Sequence, residues 1–189
     1  MNNILVTGAD GQLGSELKII SHNYPENNFL FTKLTDLDIT NHIAVAEFIS
    51  CNKITAIINC AAFTDVDKSE NQRELANIIN HLAVANLAKL SKINNIKLVH
   101  ISTDYVFNGI NSKPYVETNS PNPLSVYGQT KLDGEIAMQR INPIFSIIIR
   151  TSWLYSNFGN NFVKKILHLA KGIDQINVVS DQTSTPTNA

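Results

Sequence analysis

Asn3-Ile4-Leu5-Val6-Thr7-Gly8-Ala9-Asp10-Gly11-Gln12-Leu13-Gly14-Ser15-Glu16-Leu17 decides the fold of this 189-residue chain. The apolar run Asn3–Thr7 ends at a glycine and predicts a buried strand. Leu13, Leu17 and Ile20 follow at helical spacing, so a helix is expected from Gly11 to about Ser21. A strand that turns tightly into a helix leaves backbone N–H groups free at the helix N-terminus, where the dipole favours a pyrophosphate. Gly8 permits the turn, Gly11 the approach of the phosphates, and Gly14 close packing of helix on strand. The spacing is GxxGxxG, not the commoner GxGxxG, and no Gly-Lys-Ser/Thr follows, which excludes a P-loop.

Outward from this loop, apolar runs alternate with helical patterns. Phe29–Thr32, Thr55–Cys60, Lys97–Ser102 and Phe145–Ile149 read as further strands, and Asn177–Val179 as a short last one. Helices are expected over Asn41–Ser50 (capped by Thr40), Leu75–Ile93, Ser125–Arg140 and Asn161–Lys171. A loop rich in Gly, Asn and Pro spans Asn108–Pro123, and Ser180–Ala189 shows no closing element. Alternating strands and helices with Val/Ile-rich strands imply an α/β fold: a Rossmann-like, doubly wound parallel sheet covered on both faces.

Composition narrows the function classes. Hydrophobic residues make up 43% and charged residues 16%, as in ordinary globular proteins. A net charge of −1 with no Lys/Arg block argues against nucleic acid or an anionic membrane as partner. The start MNNILVTGAD lacks the basic n-region of a signal peptide, and no apolar stretch is long enough to span a bilayer. A cytoplasmic protein is expected. Cys51 and Cys60 form no CxxC and have no clustered His, so they read as mostly buried small side chains and not as a metal site.

Tyr127 and Lys131 lie four residues apart at the start of a predicted helix, on one face. An ammonium beside a phenol stabilises the phenolate, which is expected to lower the tyrosine pKa and ready it for proton transfer. The fourth strand ends in Ser102-Thr103-Asp104, where ligands of open α/β sheets sit, so a Ser or Thr hydroxyl there can hold a reacting carbonyl. At the end of the second strand stands Lys33, which could meet a ribose 2′-phosphate. The acids Asp36 and Asp38 come later, and NADH versus NADPH is left open.

The segments VTGADGQLGSEL, LDIT (from Leu37), NCAAFTDVDKSE (from Asn59), STDYVFNG (from Ser102), YVET, NPLSVYGQTKLDGE and RTSWLY, with the DQ–PT pattern of Asp181, Gln182, Pro186 and Thr187, carry a resemblance across essentially the whole chain. They resemble the sugar-nucleotide branch of the extended short-chain dehydrogenase/reductase superfamily, and within it the dTDP-4-dehydrorhamnose reductase family. The resemblance implies NAD(P)H-dependent reduction of the C4 ketone of dTDP-4-dehydro-L-rhamnose to dTDP-L-rhamnose, for cell-surface polysaccharide synthesis. It implies that Thr103, Tyr127 and Lys131 are catalytic, and that Tyr127 and Lys131 also contact the cofactor, Lys131 at the nicotinamide ribose. Gly8, Asp10, Gly11, Gln12, Leu13, Gly14, Asp38, Ile39, Ala61, Ala62, Phe63, Thr64 and Ser102 match cofactor contacts, and Asp104, Tyr105 and Trp153 match positions near the sugar nucleotide. Asn80 matches an asparagine that supports the lysine. Relatives suggest a homodimer, and a metal-linked association through acids such as Glu16 would bring in Mg2+, which the sequence itself does not support. The expected division is a dinucleotide domain over 1–175 and the start of a substrate-binding portion over 176–189, with most of that smaller C-terminal lobe missing. Two alternatives share the scaffold. One is a sugar-nucleotide epimerase or dehydratase. The other is a non-catalytic, dinucleotide-binding regulatory subunit of the methionine adenosyltransferase type.

Overall fold

A computed structural model describes residues 2–178, 180 and 182–189. Strand β1 (Asn2–Thr7) leads through the glycine loop into α1 (Gln12–Ile20), then β2 (Asn27–Thr32), α2 (His42–Cys51) and β3 (Ala56–Asn59). Two short helices, α3 (Val66–Asn71) and α4 (Arg73–Asn77), run through a π-helical turn at Ile78–Leu82 into α5 (Ala83–Ile93). Then come β4 (Lys97–Thr103), α6 (Val126–Ile141), β5 (Ser146–Thr151), β6 (Leu154–Tyr155), α7 (Phe162–Leu169) and β7 (Thr187–Asn188).

The main sheet has the order β2-β1-β3-β4-β5, and every pairing in it is parallel. The chain steps from β1 outward to β2 and then crosses back to β3 on the other side. Ligands of such sheets bind at this point of reversal, beyond the carboxyl ends of the strands. Leu5, Ile57 and Leu98 from three adjacent strands pack with Val45, Ile49, Val84, Leu87 and Met138 of the helices in one core. This apolar packing sets Thr7 beside Asn59 and Asn59 beside His100, while β4 runs three residues further to Thr103, opposite Thr151.

Several expectations need correction. The cap of α2 is Asn41, whose Oδ1 accepts from the Ala44 N–H at 3.1 Å, and not Thr40, whose hydroxyl instead donates to Asp38. The helix expected over Leu75–Ile93 starts at Arg73 and carries the π turn. The polar stretch before it, with no apolar periodicity to announce it, forms α3. The sheet is not covered on both faces throughout, for Ile147 and Ile149 of the edge strand β5 remain 60% and 43% exposed. Cys51 is exposed at the end of α2, against the burial expected of it, while Cys60 is largely buried. Asn177 and Val178 are not in a strand, and Val179 lies outside the described residues, as does Asp181. The last residues do contain a closing element, because β7 pairs in parallel with β6.

Candidate active site

At the carboxyl ends of β1, β3 and β4 opens a crevice of about 690 Å³. Its first wall is the glycine loop. Gly8 has φ +64°, and a Cβ there would come within 2.7 Å of the Ala61 N. At Gly14 a Cβ would meet Gly8 O at 2.4 Å and Ala9 Cα at 2.6 Å, both backbone atoms that cannot swing away. These contacts explain why the turn can be so tight and why α1 lies so close to β1. The N-cap of α1 is Gly11, which has no side chain to cap the helix, so its first-turn amides are left to a ligand.

Of the sequence-derived candidates, Gly8, Asp10, Gly11, Gln12, Leu13, Gly14, Asp38, Ile39, Ala61, Ala62, Thr64, Ser102, Thr103, Asp104, Tyr105, Tyr127, Lys131 and Trp153 all line this crevice. Two candidates do not. Lys33 is exposed beside the lining residue Leu34, and Phe63, partly buried, is not among the lining residues although its backbone is held in place. Asn80, in the π turn, donates from Nδ2 to Phe63 O at 3.0 Å and accepts from Phe63 N–H at 2.9 Å. The same amide nitrogen donates to Thr130 Oγ1 at 3.2 Å. Asn80 therefore clamps the segment after β3 to the helix that carries Tyr127 and Lys131.

Tyr127 enters from the first turn of α6, which is capped by Ser125 accepting from the Gly128 N–H at 3.1 Å. Its ring meets that of Tyr105 edge to face at 5.7 Å. Burial pushes the Tyr127 phenol above its ordinary 10, and only the Thr103 hydroxyl works against this. The expected lowering by Lys131 is not found, because the lysine side chain is engaged by other groups. Its Nζ donates to Ile101 O at 2.5 Å and lies 3.2 Å from His100 Nε2. Burial lowers Lys131 from 10.5 to about 8, partly offset by Glu135 and Cys60. Behind it runs a buried polar row: Asn59 Nδ2 lies 3.0 Å from His100 Nδ1, and Thr7 Oγ1 donates to Asn59 Oδ1 at 2.6 Å.

The opposite lip is built from the segment after β5. Trp153 stands at φ +45°, a strained backbone for a bulky residue, and its ring packs edge to face on Phe162 at 5.1 Å. Asp104 is half-buried and its carboxyl is raised by that burial, while Ser184 donates to it at 3.1 Å. Gln12 ties the glycine loop to this lip, accepting from Asn161 Nδ2 at 3.0 Å. Leu154, Gly159 and Asn160 also line the crevice. Sequence reasoning missed them, although the run Gly159-Asn160-Asn161 before a helix marked a tight, capped turn. Among the described residues no group of three or more His, Cys, Asp or Glu is arranged to hold a metal.

The family known as the RmlD substrate binding domain matches residues 1–189. This chain belongs to that family. It is similar to a dTDP-4-dehydrorhamnose reductase of Aggregatibacter actinomycetemcomitans, 42% identical over 99% of this chain and 63% of that protein. The crystal structure of a dTDP-4-dehydrorhamnose reductase from Clostridium acetobutylicum superposes with a TM-score of 0.94 at 45% identity, covering 98% of this chain and 65% of that one. That of Bacillus anthracis, in complex with NADP, gives 0.94 at 40% identity over 100% of this chain and 67% of that one. The chain thus spans 63% of the length of the Aggregatibacter relative.

The crevice of this RmlD-family member fits a nicotinamide dinucleotide on its own chemistry. Backbone amides at the start of α1 suit a pyrophosphate, and packing leaves no room for side chains at Gly8 and Gly14. The Ser102 hydroxyl is buried in the crevice wall with no hydrogen-bond partner among the described residues, a cost that a ligand contact would remove.

Proposed function

We propose that this chain carries the cofactor site and the proton-transfer residues of a reductase that converts the C4 ketone of dTDP-4-dehydro-L-rhamnose to the alcohol of dTDP-L-rhamnose. One observation carries this reading above others: Thr103, Tyr127 and Lys131 line the same crevice as the Gly8–Gly14 loop. The names of the similar reductases support the sugar nucleotide, and the NADP complex of the Bacillus anthracis protein supports the cofactor.

When bound, the reduced nicotinamide supplies a hydride for the ketone carbon. Tyr127 hands its phenolic proton to the carbonyl oxygen as negative charge grows there. Thr103, at the end of β4, holds that oxygen, and a charged Lys131 favours the phenolate left behind. Asp104, Tyr105 and Trp153 at the lip are the residues we assign to the sugar nucleotide. Residues 176–189 read as the start of the substrate-binding portion, supported by Ser184 on Asp104 and by Ser152 donating to Thr185 O at 2.5 Å. NADPH is the preferred cofactor in this reading, since β2 is followed by Lys33 where an NADH enzyme would carry an acid. No helix among the described residues is long and apolar enough to cross a membrane, and we place the reaction in the cytoplasm.

The test is Tyr127→Phe. NADPH binding is expected to stay within about twofold, because the phenol is not a principal binding group. Ketone-dependent NADPH oxidation is expected to fall by at least a hundredfold, the usual contribution of a general acid, about 10²–10⁴. Near-normal turnover of the variant would overturn the assignment. Ketone consumed without net loss of NADPH in the unsubstituted protein would point to an epimerase or dehydratase.

A further inference from the structure

The row behind Lys131 has a direction. Thr7, Asn59, His100 and Lys131 are each at most 1% exposed, so their polar atoms depend on one another. Thr7 donates to Asn59 Oδ1, which leaves the Asn59 amide N–H groups facing His100 Nδ1. Burial holds His100 well below its usual pKa, so the ring is neutral and carries one proton. With Nδ1 accepting from Asn59, that proton sits on Nε2, the atom that faces Lys131 Nζ at 3.2 Å. An ammonium has three donors and no acceptor, so a charged Lys131 would set donor against donor. An uncharged amine satisfies both contacts: its lone pair accepts from Nε2–H while one N–H donates to Ile101 O.

We propose that His100 is a positioning residue for Lys131: held by Asn59 and Thr7, its Nε2–H donates to Nζ and biases the lysine toward its uncharged form. The other titratable groups around Nζ do not replace it. Cys60, following β3, has its thiol pushed up to about 12 and stays neutral. Glu135, one turn along α6, is paired with Arg150 of β5 at 2.6 Å. Tyr127 is protonated near neutrality. The arrangement makes the buried lysine easier to discharge, and it links the lysine to Thr7, the residue just before the cofactor loop. The catalytic consequence rests on the reductase reading, but the hydrogen-bond direction does not.

The experiment is NMR on the full chain without dinucleotide, with labelled lysine and histidine, for the native sequence, His100→Leu and His100→Gln. In the native protein the imidazole nitrogen shifts are expected to show Nε2 protonated and Nδ1 bare. Losing one neutral hydrogen bond that favours the amine raises the Lys131 titration midpoint by roughly half to one pH unit in His100→Leu. His100→Gln, which restores an N–H donor at the Nε2 position, brings the midpoint back toward the native one. An unmoved midpoint in His100→Leu would mean that the ring only fills space, and a lowered one that it accepts from an ammonium; either overturns the proposal. Should His100→Leu fail to fold, a native ring protonated on Nδ1 overturns it alone. Because no dinucleotide is present, failure here is distinct from failure of the reductase reading, which shows as absent NADPH binding.

Discussion

Lys131→Met is expected to change the pH dependence of stability. In the folded protein Lys131 titrates at about 8, against 10.5 for a free lysine, because burial disfavours its charge. The unfolded chain therefore binds more protons than the folded one between those values, and stability rises with pH across that window. The contribution is fully present above 10.5 and is lost as the pH falls through 8. The gap corresponds to about 3 kcal/mol that the fold forgoes at neutral pH to keep this lysine. Met fills a similar volume without a charge, but it leaves Ile101 O and His100 Nε2 unpaired, at roughly 1–3 kcal/mol each. The two effects nearly cancel at pH 7, so the sign of the change there is uninformative and its pH dependence is the readout. Urea unfolding of both proteins at pH 7 and pH 10 should show the native chain gaining roughly 2–3 kcal/mol on the variant as the pH rises. Parallel curves would refute the claim that Lys131 is held depressed by burial.

Gly14→Ala should destabilise the chain by at least ~2 kcal/mol in urea unfolding, because the new methyl meets Gly8 O and Ala9 Cα and neither can yield. Glu135→Gln breaks the two-pronged pair with Arg150, in which Glu135 is 2% exposed, and should cost about 3 kcal/mol in the same assay. Lys33→Ala should weaken NADPH by about tenfold and leave NADH unchanged in calorimetric titrations, a loss of ~1.4 kcal/mol from one exposed charge; equal effects on both cofactors would mean that Lys33 meets no 2′-phosphate.

How much could be read from residues alone varied with the kind of physics involved. The strand–glycine–helix unit and the Tyr127–Lys131 pair are local patterns, and the structure brings them into one crevice. The β4 end with Ser102 and Thr103 was legible from its apolar run for the same reason. What depends on distant partners was not. That Lys131 turns to His100 and Ile101 O, and not directly to the phenol, follows from packing across β3 and β4. Asn80 clamps Phe63 and Thr130 from within the π turn, and no periodicity in residues 66–82 announces that turn. Two-residue strands such as β6 and β7 carry too few side chains to show alternation. The exposed Ile147 and Ile149 look like core residues in sequence because an apolar run does not say whether its strand lies at an edge.

The central claim is that the crevice of the Gly8–Gly14 loop takes a nicotinamide dinucleotide, and calorimetric titration of the chain with NADPH tests it most directly. The account predicts saturable binding of one NADPH per chain, lost in Gly14→Ala and retained in Tyr127→Phe. Absence of binding by the folded native chain, or binding that Gly14→Ala leaves intact, would contradict it.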